Sequence, residues 1–208
     1  MRKYIYALVM ALFFLSPPVA SSDDKTYGSV DPVIRWLDCY GECVKLTDKK
    51  TRGFVKEAWD WVFDEVVLTM PSVIVGMNNN YPPEIYTVSE NFMRKFMHKH
   101  EFKHMEGTTL PRALYVKPEC CGGFVLLNDK DLDLNSVAVK GVLVHEMVHH
   151  VQTVYNLIMA RCSIDHERMA YFYQYHWLRE VAGLDEDSVE IVNVKKLYMY
   201  FTRKCVSE

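Results

Sequence analysis

The chain has 208 residues, of which 50% are hydrophobic and 25% are charged. This composition is typical of a folded globular protein and excludes a disordered tail or a low-complexity stalk. The chain carries 24 basic and 27 acidic residues, a formal net charge of −3. It therefore lacks the basic excess of nucleic-acid-binding proteins, and we expect no nucleic-acid partner.

The N-terminal segment has the pattern of a secretory signal peptide. Arg2 and Lys3 precede a run of about a dozen mostly apolar residues, and small residues follow at positions 19–22. That run is shorter than the roughly 20 residues that a helix needs to cross a bilayer. We therefore predict that residues 1–20 are a cleaved signal peptide and that residues 21–208 form a single domain. The mature protein is expected to be periplasmic or secreted, without stable insertion into a membrane.

The cysteines also favour export. All six lie after the predicted signal peptide, and an even number of cysteines in an exported chain predicts disulfides. The spacing of Cys39 and Cys43 would allow them to share one helical face. Cys120 and Cys121 are adjacent, and adjacent cysteines seldom bond to each other. The pairing of the cysteines, Cys162 and Cys205 included, stays open at this point.

The hydrophobic pattern predicts an α+β fold that is mainly helical, with a small mixed sheet. In chain order, the predicted helices cover residues 54–69, 89–105, about 135–153, about 163–183 and 187 onwards. Strands are predicted at 72–76, 113–116 and 124–127, and a loop at 78–83. Pro71 ends the first helix, Ser89 or Asn91 caps the second, and Asn135 or Ser136 caps the third. The last two strands directly precede that third helix.

The third helix carries the most informative motif, His145-Glu146-Met147-Val148-His149. Histidines four residues apart lie on one face of a helix, so both imidazoles can bind one tetrahedral Zn²⁺. Glu146 is then placed to take a proton from a zinc-bound water, whose pKa the metal lowers towards neutrality. The motif therefore predicts a hydrolytic zinc site with Glu146 as the general base.

The same five-residue pattern occurs earlier in the chain, from His100 to His104. Charged residues surround this earlier copy, among them Lys95, Lys99 and Lys103, whereas valine, leucine and methionine surround the later one. A charge next to a buried zinc is costly. The earlier copy is therefore interpreted as a solvated helix face.

A catalytic zinc usually has three protein ligands and one open position. Gln152 and Tyr155 occupy the positions where the class with His-x-x-Gly-x-x-His carries its glycine and third histidine, which excludes that class. The remaining candidates for the third ligand open the next predicted helix: Asp165, His166 and Glu167.

Of these three candidates, Glu167 is favoured. It shares a helical face with Ala170, whose small side chain would let that face approach the zinc helix closely. Asp165 falls near the helix cap, where backbone N–H groups occupy its carboxylate. His166 points about 100° away from Glu167 on the helix.

These motifs make residues 110–182 similar to the zincin-type metallopeptidases that use a glutamate as third ligand, the gluzincins. The chain resembles compact exported bacterial proteins of this type more than the large peptidases. The resemblance implies a zincin-like fold and one Zn²⁺ per chain, bound by His145, His149 and Glu167. It also implies that the strand at 113–116 or at 124–127 binds the substrate backbone as an added strand.

The sequence departs from that family at the residues that support the metal. Gluzincins often carry an acidic residue one turn after the third ligand, where this chain has Ala170 and Tyr171. The candidates for orienting the zinc histidines are therefore Gln152, Gln174 or a tyrosine. Tyr171 is preferred as the residue that stabilises the oxyanion, because it shares the face of Glu167. The other candidates for that role are Tyr155, Tyr173, Tyr175, His166 and His176.

The sequence thus predicts an exported zinc-dependent metallopeptidase that acts on a peptide or protein substrate. Glu146 would deprotonate the zinc-bound water for attack on the scissile carbonyl and then pass the proton to the leaving amine. The first alternative is a catalytically inactive zincin-like protein that binds a metal or a partner. The second is a disulfide-stapled helical interaction protein without a metal.

Overall fold

The computed structural model describes residues 31–39, 41–67, 81–100, 110–118, 122–130, 132–155 and 164–206. The predicted signal peptide, the predicted strand at 72–76, the loop up to residue 80 and Cys120, Cys121 and Cys162 lie outside these ranges. Within them, no helix is long and apolar enough to cross a membrane.

The described residues form an α+β fold with a small mixed sheet, as predicted from the sequence, and that sheet has four strands. The helices are α1 (Pro32–Leu37), α2 (Lys49–Val62), α3 (Glu90–Lys99), α4 (Val137–Val154), α5 (Asp165–Glu180) and α6 (Val189–Val206), and a π-helical turn, Phe63–Val67, extends α2. The strands are β1 (Cys43–Lys45), β2 (Glu84–Val88), β3 (Ala113–Val116) and β4 (Phe124–Asn128). Their order in the sheet is β1-β2-β4-β3. The sheet is mixed, because β2 is parallel to β4 while β1 and β3 are antiparallel to their neighbours.

Side chains that alternate along the strands supply two hydrophobic cores, one on each face of the sheet. Val125 and Leu127 of β4 face the larger core, which also contains apolar side chains of α2, α4, α5 and α6. Phe124 and Leu126 face the smaller core, with side chains of α1 and α3. All five residues of β4 are buried. The predicted zinc helix α4 therefore lies on the face of the sheet that carries the larger core.

Most of the predicted elements are confirmed, with shifted ends. Strands β3 and β4 lie where they were predicted, and Ser89 caps α3 by accepting a hydrogen bond from the Phe92 amide at 3.1 Å. Helix α2 begins five residues earlier than predicted, because the Asp48 side chain accepts a hydrogen bond from the Thr51 amide at 2.9 Å. The sequence analysis missed α1, β1 and β2.

The prediction that Cys39 and Cys43 share a helical face is wrong. Helix α1 ends at Leu37, and Asp38 and Gly41 have φ angles of 54° and 78°. The chain turns there, and a disulfide joins Cys39 to Cys43, the first residue of β1. Cys205 is also disulfide-bonded. The prediction of disulfides is thus confirmed for the cysteines that the structure describes.

Polar side chains attach α1 to strands β1 and β2 of the sheet. Asp31 caps α1 through the Val33 amide at 2.8 Å and also accepts a hydrogen bond from Tyr86 at 2.8 Å. Lys45 lies 3.1 Å from Asp31 and 2.5 Å from Glu84. This cluster links α1 to β1 and β2, at the end of the strand order away from β3.

Small side chains allow α4 and α5 to approach each other closely. A Cβ atom at Gly141 of α4 would lie 3.0 Å from Leu178 Cδ2 and 3.5 Å from Gln174 Nε2, both on α5. Ala170 of α5 is fully buried in the same core. The expectation that Ala170 faces a close helix contact agrees with this packing.

Because α4 and α5 approach each other closely at Gly141, we expect a leucine there to destabilise the fold and a leucine at the exposed Gly53 to stabilise it. We expect Gly141→Leu to lower the free energy of unfolding by about 1–3 kcal/mol, because the new side chain must displace Leu178. Gly53 of α2 has nothing within 4 Å of an added Cβ. Gly53→Leu should therefore raise the free energy of unfolding by up to about 1 kcal/mol through helix propensity. Urea denaturation measures both, and equal effects at the two sites would contradict this packing.

Candidate metal centre

Helices α4 and α5 bring the three predicted metal ligands together. His145 and His149 lie one turn apart on α4, and their Nε2 atoms are 3.2 Å apart. Glu167, in the first turn of α5, points between them. Its Oε2 is 3.4 Å from His145 Nε2, and its Oε1 is 3.4 Å from His149 Nε2. The histidine side chains are 8% and 15% exposed and that of Glu167 is 26% exposed, so the cluster is largely shielded from water.

The separations fit a small divalent cation. When Zn²⁺ bonds are about 2.0–2.1 Å long, two ligands of a tetrahedral site lie about 3.3 Å apart. The two histidine Nε2 atoms, 3.2 Å apart, lie close to that value, and each is 3.4 Å from a different oxygen of the Glu167 carboxylate. Within the described ranges this is the one group of three or more histidine, cysteine or acidic side chains whose donor atoms converge, all within 4.8 Å. Two imidazoles and a carboxylate suit Zn²⁺, although the same set also suits Fe²⁺ and other divalent ions.

When no metal is bound, Glu167 and His149 form an ion pair. Burial disfavours the charged form of both groups. The Glu167 carboxylate nevertheless raises the pKa of His149 above its ordinary value, and the two imidazoles hold the pKa of Glu167 well below its usual range. An ionised carboxylate therefore faces the two imidazoles, and a cation bound there would take the place of the His149 proton.

Glu146, the predicted base, points from the same helix towards the sheet. Its Oε2 accepts a hydrogen bond from the backbone N–H of Tyr115 in β3 at 2.8 Å. Burial is the main cause that raises the pKa of Glu146 above its ordinary value, against the opposing effect of His145 and His149. This carboxylate is thus held in one orientation beside the candidate ligands, with its second oxygen not engaged by that bond.

The other two candidates for the third ligand are placed differently. Asp165 is 1% exposed, and its Oδ1 lies 2.6 Å from the Arg168 guanidinium, so an ion pair within α5 engages it. The backbone carbonyl of His166 accepts a hydrogen bond from Gln152 Nε2. Of the three candidates, only Glu167 belongs to the converging group.

Tyr171 lies against the candidate ligands, as its helical spacing from Glu167 predicts. Its ring packs on the His145 ring with 4.3 Å between centroids, and it also stacks on Phe201 of α6. Burial, and then the carboxylates of Glu167 and Glu146, raise the pKa of Tyr171 above its ordinary value. The phenol therefore keeps its proton at neutral pH and can donate a hydrogen bond.

The remaining aromatic candidates make contacts elsewhere. Tyr155 packs on Phe63, Tyr173 packs on Trp61, Tyr175 donates to Glu186 at 2.7 Å, and His176 lies 2.7 Å from Glu180. Within the same helix, Phe172 is 38% exposed, whereas Tyr173 and Trp177 are buried. These contacts leave Tyr171 as the candidate that touches a predicted metal ligand.

His100, the first residue of the earlier copy of the motif, is not part of a solvated helix face. Helix α3 ends at Lys99, and His100 is its C-cap. The His100 ring stacks on Trp36 at 5.8 Å and packs on Phe96 at 4.4 Å, and the three residues line a cleft between α1 and α3. None of the predicted site residues lines that cleft. The rest of this copy, residues 101–104, lies outside the described residues.

The sequence analysis missed the role of His150. This residue is 6% exposed, and its Nε2 lies 3.1 Å from the carbonyl oxygen of Tyr81. A carbonyl only accepts, so Nε2 carries the proton and Nδ1 accepts a hydrogen bond from the Tyr115 hydroxyl at 3.1 Å. Tyr115 thus joins β3 to α4 through its side chain at His150 and through its backbone at Glu146. The sequence feature that points to His150 is its place directly after His149, as a further histidine in an apolar part of the helix.

No family model matches this sequence, and comparisons with curated proteins and with solved structures give no match. The resemblance to the zincins therefore stays a prediction from the sequence motif.

The hydrogen bond from Tyr115 to His150 predicts the effect of removing one hydroxyl group. We expect Tyr115→Phe to lower the free energy of unfolding by about 1–3 kcal/mol, because it leaves the buried His150 Nδ1 without its donor. Tyr200→Phe is the control, because Tyr200 is 49% exposed. It should change the stability by less than about 0.5 kcal/mol. Thermal or urea unfolding of the two variants measures the difference, and similar values for both would contradict the assignment.

Proposed function

We propose that this protein is a zinc-dependent metallopeptidase of the zincin type, with Glu167 as its third ligand. The observation that supports this most strongly is the convergence of His145, His149 and Glu167 from two helices, with Glu146 beside them. Buried imidazoles and a buried carboxylate are costly unless they are paired or bind a cation. A metal site explains why an otherwise apolar helix carries them.

Each residue of the centre has a chemical role in this proposal. His145, His149 and Glu167 would hold the metal, which supplies Lewis acidity and lowers the pKa of water. Glu146 takes the proton from the attacking water and delivers it to the leaving amine. The hydrogen bond from the Tyr115 amide keeps the Glu146 carboxylate in position for both transfers. Tyr171 donates its phenol hydrogen bond to the developing oxyanion.

Strand β3 is the proposed docking edge for the substrate backbone. Of the two strands that the resemblance suggested, β4 has neighbours on both sides, whereas β3 is at the edge of the sheet that the described residues form. The carbonyl of Arg112 accepts a hydrogen bond from the Asn128 amide, on the side of β4. The Tyr115 amide instead points away from β4 and donates to Glu146. A peptide added along this outer edge would pass beside Glu146.

The proposed location is outside the cytoplasm, in the periplasm or in the medium. The signal-peptide pattern of residues 1–20 supports this location, and so does the disulfide between Cys39 and Cys43. A peptide or protein substrate is the proposed partner.

The proposal predicts the metal content of four proteins. Elemental mass spectrometry should find about one zinc per chain in the wild type, and less than a tenth of that in His149→Ala and Glu167→Ala after dialysis, because each variant removes one of three ligands. His100→Ala is the matched control, because it removes the first histidine of the same five-residue pattern elsewhere in the fold. It should keep its zinc. A wild type that takes up no zinc after reconstitution would contradict the proposal.

Hydrolysis tests the role of Glu146 separately. We expect Glu146→Gln to keep its zinc but to lose at least about 100-fold in the rate of peptide cleavage, because the amide cannot accept the proton from water. Cleavage of a peptide library, read by mass spectrometry, measures the rate for wild type and variant. Full activity in Glu146→Gln would contradict the mechanism. A zinc-loaded wild type that cleaves nothing would instead favour an inactive zincin-like protein that binds a metal or a partner.

A further inference from the structure

Gln152 lies one turn after His149 on α4, and both ends of its side-chain amide are engaged. Its Oε1 is 2.8 Å from His149 Nδ1, and its Nε2 donates to the backbone carbonyl of His166 at 3.0 Å. The residue is 4% exposed. It therefore contacts one candidate ligand directly and the residue next to another, Glu167.

The hydrogen-bonding capacities of the His166 carbonyl and of Gln152 determine how the Gln152 amide and the His149 ring are oriented. The carbonyl of His166 can only accept, so the NH₂ group of Gln152 must face it. The Oε1 atom then faces His149, and because that oxygen also only accepts, the proton of the imidazole must lie on Nδ1. The Nε2 atom of His149 is left to face His145 and Glu167, at 3.2 and 3.4 Å. Gln152 thus selects the orientation of the His149 ring in which Nε2 can bind a metal.

The same amide connects the two helices that carry the ligands. Gln152 is near the C-terminus of α4, and His166 is in the first turn of α5. Glu167 follows His166 directly, so the bond limits how far its backbone can move from His149. By contrast, the buried His145 Nδ1 has no hydrogen-bond partner among the described residues, and its ring packs against Tyr171. Gln152 is therefore the polar contact that ties His149 and Glu167 into one arrangement.

An amide suits this position better than a carboxylate would. Glu146 and Glu167 already place two buried carboxyl groups beside the histidines, and Glu167 raises the pKa of Glu146. A third buried carboxylate would add to that repulsion, whereas glutamine supplies the acceptor without a charge. The position is the one at which the class with His-x-x-Gly-x-x-His carries a glycine, which has no side chain to offer.

We infer that Gln152 is a positioning residue of the metal centre, which sets the His149 tautomer and holds the first turn of α5 against α4. The inference rests on the proposed function, because it concerns how the same three ligands are held.

Zinc affinity tests this inference with a matched pair of variants. Gln152→Met keeps a similar length but removes both hydrogen bonds. Gln174→Met is the control, because Gln174 is also buried between α4 and α5, at 6% exposed, but lies beside Gly141. Competition with a chromogenic chelator should show zinc binding about 10–100 times weaker in Gln152→Met. The control should stay within about threefold of the wild type, and circular dichroism shows whether both variants fold.

A second measurement uses the wild-type chain and needs no variant. In the zinc-loaded protein, nitrogen-15 NMR should find the His149 Nδ1 proton, protected from exchange with water by its bond to Gln152. Rapid exchange of that proton would overturn the inference, even if Gln152→Met failed to fold.

The outcomes separate this inference from the proposed function. If the wild type binds zinc and Gln152→Met binds it equally well, the role of Gln152 is wrong and the metal centre stands. If both methionine variants weaken binding equally, packing rather than the Gln152 amide is responsible, and the inference also fails. A wild type that binds no zinc overturns both.

Discussion

The contact between α4 and α5 is the constraint on which the candidate site depends. His145 and His149 can face one point from a single helix, but a third ligand must come from another element, and its carboxylate reaches only a few ångströms. Gly141 has no side chain to keep Leu178 of α5 away from α4, and Ala170 of α5 is buried in the core that the two helices share. The Glu167 oxygens consequently lie 3.4 Å from both imidazoles. The apolar packing of α4 against α5 thus determines the distances between His145, His149 and Glu167.

Charge explains why these groups tolerate burial. Burial is the main cause that raises the pKa of Glu146, and the nearby Glu167 carboxylate adds to it. The two carboxylates are compensated in different ways. Glu167 interacts with both imidazoles, whereas Glu146 accepts the amide hydrogen of Tyr115. A cation among the three candidate ligands would stabilise Glu167 further and would leave Glu146 as the group available for proton transfer.

Local patterns predicted the parts of the fold whose burial is regular along the chain. Strand β4 is apolar up to Asn128, apolar residues surround the motif of α4, and the spacing of Glu167 and Ala170 placed both on one face of α5. Strand β1 has only three residues, too few for a periodic pattern. The i, i+3 spacing of His149 and Gln152 made Gln152 a candidate for orienting the zinc histidines, whereas its bond to His166 was not predictable, because it depends on how α4 and α5 pack together. The turn between Cys39 and Cys43 depends on φ angles of 54° and 78°, which residue spacing does not reveal.

The two copies of the histidine motif show what the pattern requires beyond its five residues. Around His145, the apolar positions of α4 are buried on several sides, so the helix continues through the whole motif and holds both histidines one turn apart. Around His100, the residues that precede it on α3 alternate between buried Phe96 and Met97 and exposed Lys95 and Lys99. The helix ends there, and aromatic rings of α1 and α3 cover the imidazole. Among the described residues, the pair of histidines that a carboxylate of a second helix approaches is the one on α4, which remains helical through both of them.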